Sequence, residues 1–275
     1  MLLFRGWPYD IHSFVDVAPI LAAAGYRVLV PYLRGYGETR FLSAATPRNA
    51  QPAAVAADAI TFMDALKIDK AVMGGFDWGG RNANLLAFLW PERVKALVSV
   101  SGYVVGSQAA VQMPLPPSGE NKWWYLFYFA TDRGQAGYAK YTKDFNRFIW
   151  QQASPKWTFD DETFERSATA FENPDFVRIS LSNYRWYLGL ESGERKYDEL
   201  RRRSRHFKLS LVRQSRWKAT RTAQRMLNPA SMPRSTSAGT SIATSPAASG
   251  TICRRRLRKP SPRPSLMSTH FPVHR

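Results

Sequence analysis

The hydrophobic and polar positions of this chain form two alternating patterns over its first hundred residues. Short apolar runs predict strands, and segments with apolar residues at helical spacing predict helices. The pattern predicts, in chain order, a strand over 2–4, a helix over 11–24, a strand over 26–33, a helix over 52–66, a strand over 70–76, a helix over 79–90 and a strand over 94–100. Strands that alternate with helices at this spacing indicate a mostly parallel sheet of the α/β class.

The pattern changes after residue 106. Residues 107–195 are rich in aromatic side chains, with the clusters KWWYLFYF and NYRWYLGL and few strand signals. A helical insertion that follows a strand of such a sheet is typical of a lid. From about residue 230 the chain consists of Ser, Thr, Ala, Pro and Arg without a period, which predicts disorder. We therefore predict a core over 1–106, a helical lid over 107–195 and a largely disordered basic tail over 196–275.

Charge marks the same boundary. The net charge of +18 suggests a nucleic-acid partner, but all 21 acidic residues lie at or before Glu199, together with 21 of the 39 basic residues. The excess of 39 − 21 = 18 basic residues therefore belongs to the tail, which we interpret as foreign to the fold. No run approaches the 18 apolar residues of a membrane span, and a single cysteine excludes an internal disulfide. We expect a cytoplasmic protein.

The segment Gly75-Phe76-Asp77-Trp78-Gly79 lies between a predicted strand and a predicted helix. This spacing is that of a nucleophile elbow, G-x-Nuc-x-G, with Asp77 in the place of the usual serine. The glycines permit a turn tight enough to bring strand and helix into contact. The positive end of the following helix would keep the carboxylate ionised and able to attack. The alternative is that Asp77 only caps that helix.

Together with RGWPYDIHSF and PYLRGYGETRF upstream, FDWGG resembles the bacterial epoxide hydrolases and their haloalkane-dehalogenase relatives. The resemblance extends from Leu2 to about Leu200 and implies the α/β-hydrolase fold, with a mostly parallel sheet and a helical lid. It also implies that the backbone N–H groups of Trp7 and Trp78 form an oxyanion hole. Arg5 departs from the motif, where the family has His, and we expect it to distort its loop.

Family members open the epoxide with two lid tyrosines that protonate the leaving oxygen. KWWYLFYF matches the first lid motif with Tyr125, and SNYRW matches the second with Tyr184; Tyr128 and Tyr187 are the alternative assignments. The other interpretation is that these aromatic residues only pack the lid against the core. Two tyrosines, and Trp7 at a position where dehalogenases commonly have Asn, favour epoxide opening over haloalkane dehalogenation.

The second half of the family's reaction needs a histidine and an acid that follow the lid in the chain. No acid follows Glu199, and the available histidines, His12, His206, His270 and His274, lack the family's surroundings. Synonymous codons can be chosen for residues 216–224 that encode LEGDADGA when they are read from the third base of each codon. In the same frame, codons for residues 247–257 can encode a segment that contains GHNLP. We therefore expect a frameshift between about 201 and 212, and an N-terminus shortened by two strands, so that the fold is incomplete at both ends.

These observations predict an epoxide-hydrolase-like enzyme with Asp77, Tyr125 and Tyr184 as catalytic residues. A carboxylate nucleophile attacks without a base, so we expect an alkyl-enzyme ester and impaired release of the diol. The resemblance implies a small apolar epoxide as the substrate and no cofactor or metal. The alternatives are a haloalkane dehalogenase and a non-enzymatic protein that binds nucleic acid through residues 201–275. We expect no specific nucleic-acid partner, because aromatic residues for base stacking are scarce in the tail; the sequence leaves the oligomeric state open.

Overall fold

The structure, a computed structural model, describes residues 1–102, 108–203 and 241–243. Four strands form one sheet in the order β1-β2-β3-β4. The strands are β1 (Leu2–Phe4), β2 (Ala71–Phe76), β3 (Val94–Val100) and β4 (Ser241–Ala243). The first three are parallel, which confirms the predicted sheet, and their bounds lie within one residue of the predicted ones.

Two helices of the first hundred residues cover the sheet. They are α2 (Pro52–Ala65) and α3 (Trp78–Leu89), and both confirm the predicted helices to within one residue at each end. Alternate residues of β1 point to different clusters of the core. Leu2 and Phe4 pack with α2 and α3, whereas Leu3 packs with the aromatic residues of the later helices.

Two predicted elements differ from the structure. The predicted helix over 11–24 is divided into a 3-10 turn, Ile11–Phe14, and a short helix α1, Val17–Ala23. The predicted strand over 26–33 is wrong as a regular strand: only Leu29 forms a bridge, to Leu2. Tyr26 is 48% exposed and the rest of this segment is at most partly buried, because it runs along the outer side of β1. Apolar composition alone does not distinguish such an edge from a central strand.

The aromatic-rich part of the chain is helical, as predicted. It contains α4 (Gln108–Val111), α5 (Pro117–Lys122), α6 (Trp124–Ala130), α7 (Asp132–Lys140), α8 (Thr142–Ala153), α9 (Asp161–Ala168) and α10 (Phe176–Tyr187). Helices α6 and α10 contact each other and carry the two predicted tyrosines. The division into core, lid and tail stays a prediction.

Three residues of the predicted disordered tail form strand β4. It pairs antiparallel with β3, with Val98 opposite Ile242. An open strand edge offers unpaired N–H and C=O groups to any extended segment, and β4 occupies that edge. Disorder therefore does not extend over these three residues. The histidines His206, His270 and His274 and the segments 216–224 and 247–257, which we attributed to a frameshift, lie outside the described residues.

Candidate active site

Asp77 occupies the connection between β2 and α3. Its backbone has φ 50° and ψ −124°, a conformation that side chains other than glycine rarely adopt. Such a residue costs about 1–3 kcal/mol and persists only where the surrounding structure holds it. Here the N–H of Asp77 donates to the carbonyl oxygen of Val100 at 3.0 Å. The sharp turn of a nucleophile elbow is therefore present in the backbone.

Two glycines make the turn possible through close approach. A Cβ atom on Gly79 would lie 2.0 Å from the carbonyl oxygen of Phe4, and one on Gly75 would lie 2.6 Å from the carbonyl carbon of Gly79. Neither distance is compatible with a side chain, because both neighbours are backbone atoms. The paired glycines of the sequence motif thus allow α3 to start directly against β1 and β2.

The carboxylate of Asp77 does not cap α3. Its side chain makes no capping hydrogen bond, so the interpretation of Asp77 as a helix cap is wrong. The backbone N–H of Trp7 instead donates to Oδ2 of Asp77 at 3.0 Å. Asp77 is 8% exposed, and the loop after β1 and the start of α3 meet at its side chain. A donor therefore already contacts an oxygen of the predicted nucleophile.

Trp7 and Trp78 are both neighbours of Asp77: the N–H of Trp7 contacts its carboxylate, and Trp78 follows it in the chain. Trp7 is 2% exposed, and its ring lies 4.9 Å from the ring of Tyr184 between centroids. Trp78 is the first residue of α3, where backbone N–H groups have no partner within the helix. Its ring contacts the ring of Tyr184 edge-on at 5.5 Å. Both rings thus contact Tyr184, and the role of the two backbone N–H groups as an oxyanion hole stays a prediction.

The structure brings Tyr125 and Tyr184 together. Their ring centroids are 5.5 Å apart, and the ring of Tyr125 is 5.3 Å from that of Trp7. Tyr125 is carried by α6 and Tyr184 by α10, and both side chains are buried. Residues separated by 59 positions in the sequence thus come into contact.

Both phenols are held in the protonated form. Burial raises the pKa of Tyr125 well above its usual value, and the negative charge of Asp77 raises it further. Burial likewise raises the pKa of Tyr184, with contributions from Tyr125 and Asp77. The guanidinium of Arg81 acts in the opposite direction on both. Two neutral O–H groups beside a carboxylate can donate hydrogen bonds or a proton.

The alternative tyrosines lie elsewhere. Tyr128 packs on Trp124 and Phe145, with ring centroids 5.7 Å away in each case. Tyr187 lies at the edge of the site, 5.6 Å from the ring of Trp78. Neither ring approaches Trp7 as Tyr125 and Tyr184 do, so the original assignment stays the better prediction.

Two charged residues near the site were not identified from the sequence. Arg81 is 5% exposed, and its guanidinium lies 4.3 Å above the ring of Trp78. Its spacing of three residues after Trp78 on one helix face is the signal that could have found it. Asp10 is fully buried and accepts hydrogen bonds from the Ser167 hydroxyl and the His12 backbone. It joins the loop after β1 to α9.

Arg34 links two parts of the core. Arg34 makes two hydrogen bonds of 2.6 Å to Asp58, which joins the loop after Leu33 to α2.

Within the described ranges, no group of three or more His, Cys, Asp or Glu side chains could hold a metal ion. In the same ranges no helix is long and apolar enough to cross a membrane.

Comparison with known proteins agrees with this geometry. Residues 1–178 match the family model described as alpha/beta hydrolase fold, and the chain belongs to this family. It is similar to the crystal structure of a candidate epoxide hydrolase from Klebsiella pneumoniae, with 61% sequence identity, a TM-score of 0.72, and coverage of 74% of this chain and 67% of that one. The predicted fold class and the epoxide-hydrolase resemblance are thereby confirmed.

Curated relatives point to the same group. The chain is 32% identical over 131 residues to an epoxide hydrolase from Caballeronia sordidicola, which covers 46% of this chain and 38% of the relative. It is 33% identical over 111 residues to an epoxide hydrolase from Siraitia grosvenorii, with 40% and 34% covered. The chain thus spans little more than a third of the length of these two relatives.

Proposed function

We propose that this chain is an epoxide-hydrolase-like enzyme in which Asp77 attacks a carbon of the epoxide ring. The observation that supports this most is the position of the Asp77 carboxylate. It stands on a strained elbow, caps no helix N–H, accepts the N–H of Trp7 and lies below two protonated tyrosines. A nucleophile, an acid and an oxyanion donor are the three groups that such a reaction needs.

In the first step an oxygen of Asp77 forms a bond to an epoxide carbon, and the bond from that carbon to the ring oxygen breaks. The ring oxygen takes a proton from Tyr125 or Tyr184, so that a neutral alcohol is formed. The product is a hydroxyalkyl ester of Asp77 and a tyrosinate, which regains its proton from solvent. Desolvation favours the neutral tyrosine, and charge is placed on it only transiently.

In the second step water attacks the ester carbonyl carbon, and the resulting oxyanion receives the N–H groups of Trp7 and Trp78. Collapse of this intermediate releases the diol and restores the Asp77 carboxylate. We propose that this step is impaired, because the sequence contains no acid after Glu199 to orient a histidine beyond α10. The chain would then stop at the ester.

Aromatic rings support a small apolar substrate. The rings of Trp7, Trp78, Tyr125 and Tyr184 contact one another beside Asp77, so a substrate bound there would meet mostly carbon atoms. Apolar walls with a few placed polar groups are typical of small-molecule sites.

Intact-mass spectrometry of the full chain after incubation with styrene oxide tests the proposal. We expect a gain equal to the mass of the epoxide, and no gain in Asp77→Asn. The amide oxygen of Asn can still accept the N–H of Trp7, and Asn tolerates a positive φ better than most residues. An equal gain in this variant would refute the role of Asp77. An adduct with an alkyl chloride but none with the epoxide would indicate the dehalogenase alternative.

A further inference from the structure

Arg5 is a buried cation in the loop after β1. Its side chain is 2% exposed, although an arginine is rarely buried without a charged partner. Its Nη1 donates to the carbonyl oxygen of Gly6 at 3.3 Å, and the guanidinium carbon lies 3.3 Å from the centroid of the Tyr36 ring. In the part of the chain that the structure describes, its Nε and Nη2 have no hydrogen-bond partner.

Unpaired donors on a buried charge are costly. A hydrogen bond to a charged group contributes about 1.5–3 kcal/mol, and a buried charged group that lacks its partner costs more than a neutral one. The Tyr36 ring contacts the face of the guanidinium. This contact leaves the N–H groups at the edge of the guanidinium without an acceptor. The edge of Arg5 therefore needs an acceptor.

Arg5 also lines a small cavity. It has a volume of about 30 Å³ and includes Arg5, Trp7, Trp78, Asn82 and Asn183 in its wall. About 10–15 Å³ suffices for one water molecule, so the space holds one or two waters or one monatomic anion.

The cavity wall is positive. Arg34 also lines it, and this second guanidinium is already paired with Asp58. No Asp or Glu is among the residues that line the cavity within the described ranges. Asn82 and Asn183 add amide groups, and the Oδ1 of Asn82 has no partner there. Exchange of its amide oxygen and nitrogen would present two further donors.

We propose that this cavity binds one monovalent anion of halide size, held by the Nε and Nη2 groups of Arg5. The anion neutralises the buried guanidinium and accepts the donors that the protein leaves unpaired. It is neither substrate nor product of epoxide opening, so the site is a structural anion site beside Trp7. Arg5 would thereby hold the loop whose N–H contacts Asp77.

Thermal unfolding of the full chain in sodium chloride and in sodium gluconate at equal ionic strength tests the site. Gluconate is too large for the cavity and controls for screening. We expect the Tm to be about 3 °C higher or more at a chloride concentration ten times the Kd. The difference is expected to vanish in Arg5→Gln and to persist in Arg93→Gln. Arg93 pairs with Asp64 and does not line the cavity, so this control removes the same charge.

Equal Tm values of the wild-type chain in the two salts would overturn the proposal and indicate a cavity filled with water. A rise with acetate but not with chloride would also overturn it, since it would identify a carboxylate site. If Arg5→Gln does not fold, anomalous diffraction from wild-type crystals grown in bromide decides: a peak within about 3.5 Å of the Arg5 guanidinium is expected, and its absence contradicts the site. None of these measurements uses an epoxide, so their outcome is independent of the proposed reaction.

Discussion

In the proposed reaction, Asp77 supplies the negative charge that attacks the epoxide, and the two tyrosines supply the proton. The carboxylate must be ionised to attack, whereas the phenols must be protonated to donate. Burial and the charge of Asp77 both raise the pKa values of Tyr125 and Tyr184, which keeps both phenols protonated.

Removal of both hydroxyl groups tests this division. We expect the double variant Tyr125→Phe/Tyr184→Phe to form the epoxide adduct about 10²–10⁴ times more slowly, because the leaving oxygen would lack its acid. The rate is measured by quenched intact-mass spectrometry. Tyr128→Phe is the matched control on the same helix as Tyr125, and its rate is expected to equal that of the wild type. Unchanged kinetics in the double variant would contradict the acid role.

The raised pKa of Tyr184 also predicts a loss of stability in alkali. The unfolded tyrosine ionises near pH 10, whereas the folded one keeps its proton well above this pH. Above pH 10 the unfolded state therefore binds fewer protons, and the free energy of unfolding falls by about 1.4 kcal/mol per pH unit for this group.

Urea unfolding between pH 8 and pH 12 measures this effect. In Tyr184→Phe the fall above pH 10 is expected to be smaller by that amount, while the two proteins keep a constant difference below pH 10. Parallel curves over the whole range would show that Tyr184 ionises as freely in the folded chain as in the unfolded one.

At the scale of elements, strands β1, β2 and β3 could be predicted from the sequence, whereas the irregular conformation of segment 26–33 at the sheet edge could not. The runs that became β1, β2 and β3 are apolar and pair with one another in the sheet. Tyr26–Leu33 is equally apolar, yet it forms one bridge to β1 because its outer side has no neighbouring strand among the described residues. Apolar composition indicates that a segment favours an extended, partly buried position, whereas regular strand pairing depends on partners elsewhere in the chain.

The junction of β2 and α3 depends on the missing side chain at Gly79. We expect Gly79→Ala to lower the free energy of unfolding by about 3 kcal/mol or more, since its Cβ would collide with the carbonyl oxygen of Phe4. Gly25→Ala is a suitable control: its φ is 86°, but a Cβ there meets nothing within 4 Å. That variant should lose only about 1 kcal/mol. Equal losses in chemical denaturation would show that close packing at the elbow is unimportant.

At the scale of the whole molecule, motif order predicted which residues meet. The strand–turn–helix setting of Asp77 and the two lid motifs assembled one site from three separate segments. The contacts of Arg81 with the ring of Tyr187 and the cavity beside Arg5 could not be predicted in this way. Their surroundings depend on side chains from distant elements, such as Tyr187 for Arg81 and Tyr36 for Arg5.

At the scale of the whole molecule, the proposal also predicts whether the ester is hydrolysed and the reaction completed. If the ester is not hydrolysed, the diol released in a long incubation is expected to stay below one molecule per chain, while the adduct accumulates. Chromatography of the diol against time measures this ratio. Steady release over many turnovers would contradict the proposed impairment, although it would leave the role of Asp77 intact.

The central claim is that the epoxide becomes attached to Asp77, and peptide mapping tests it most directly. Trypsin cleaves after Lys70 and Arg81, which gives the peptide 71–81, AVMGGFDWGGR, and Asp77 is its single acidic side chain. After incubation of the full chain with styrene oxide, this peptide is predicted to carry the added mass on Asp77. An unmodified 71–81 peptide together with label on another residue would contradict the account.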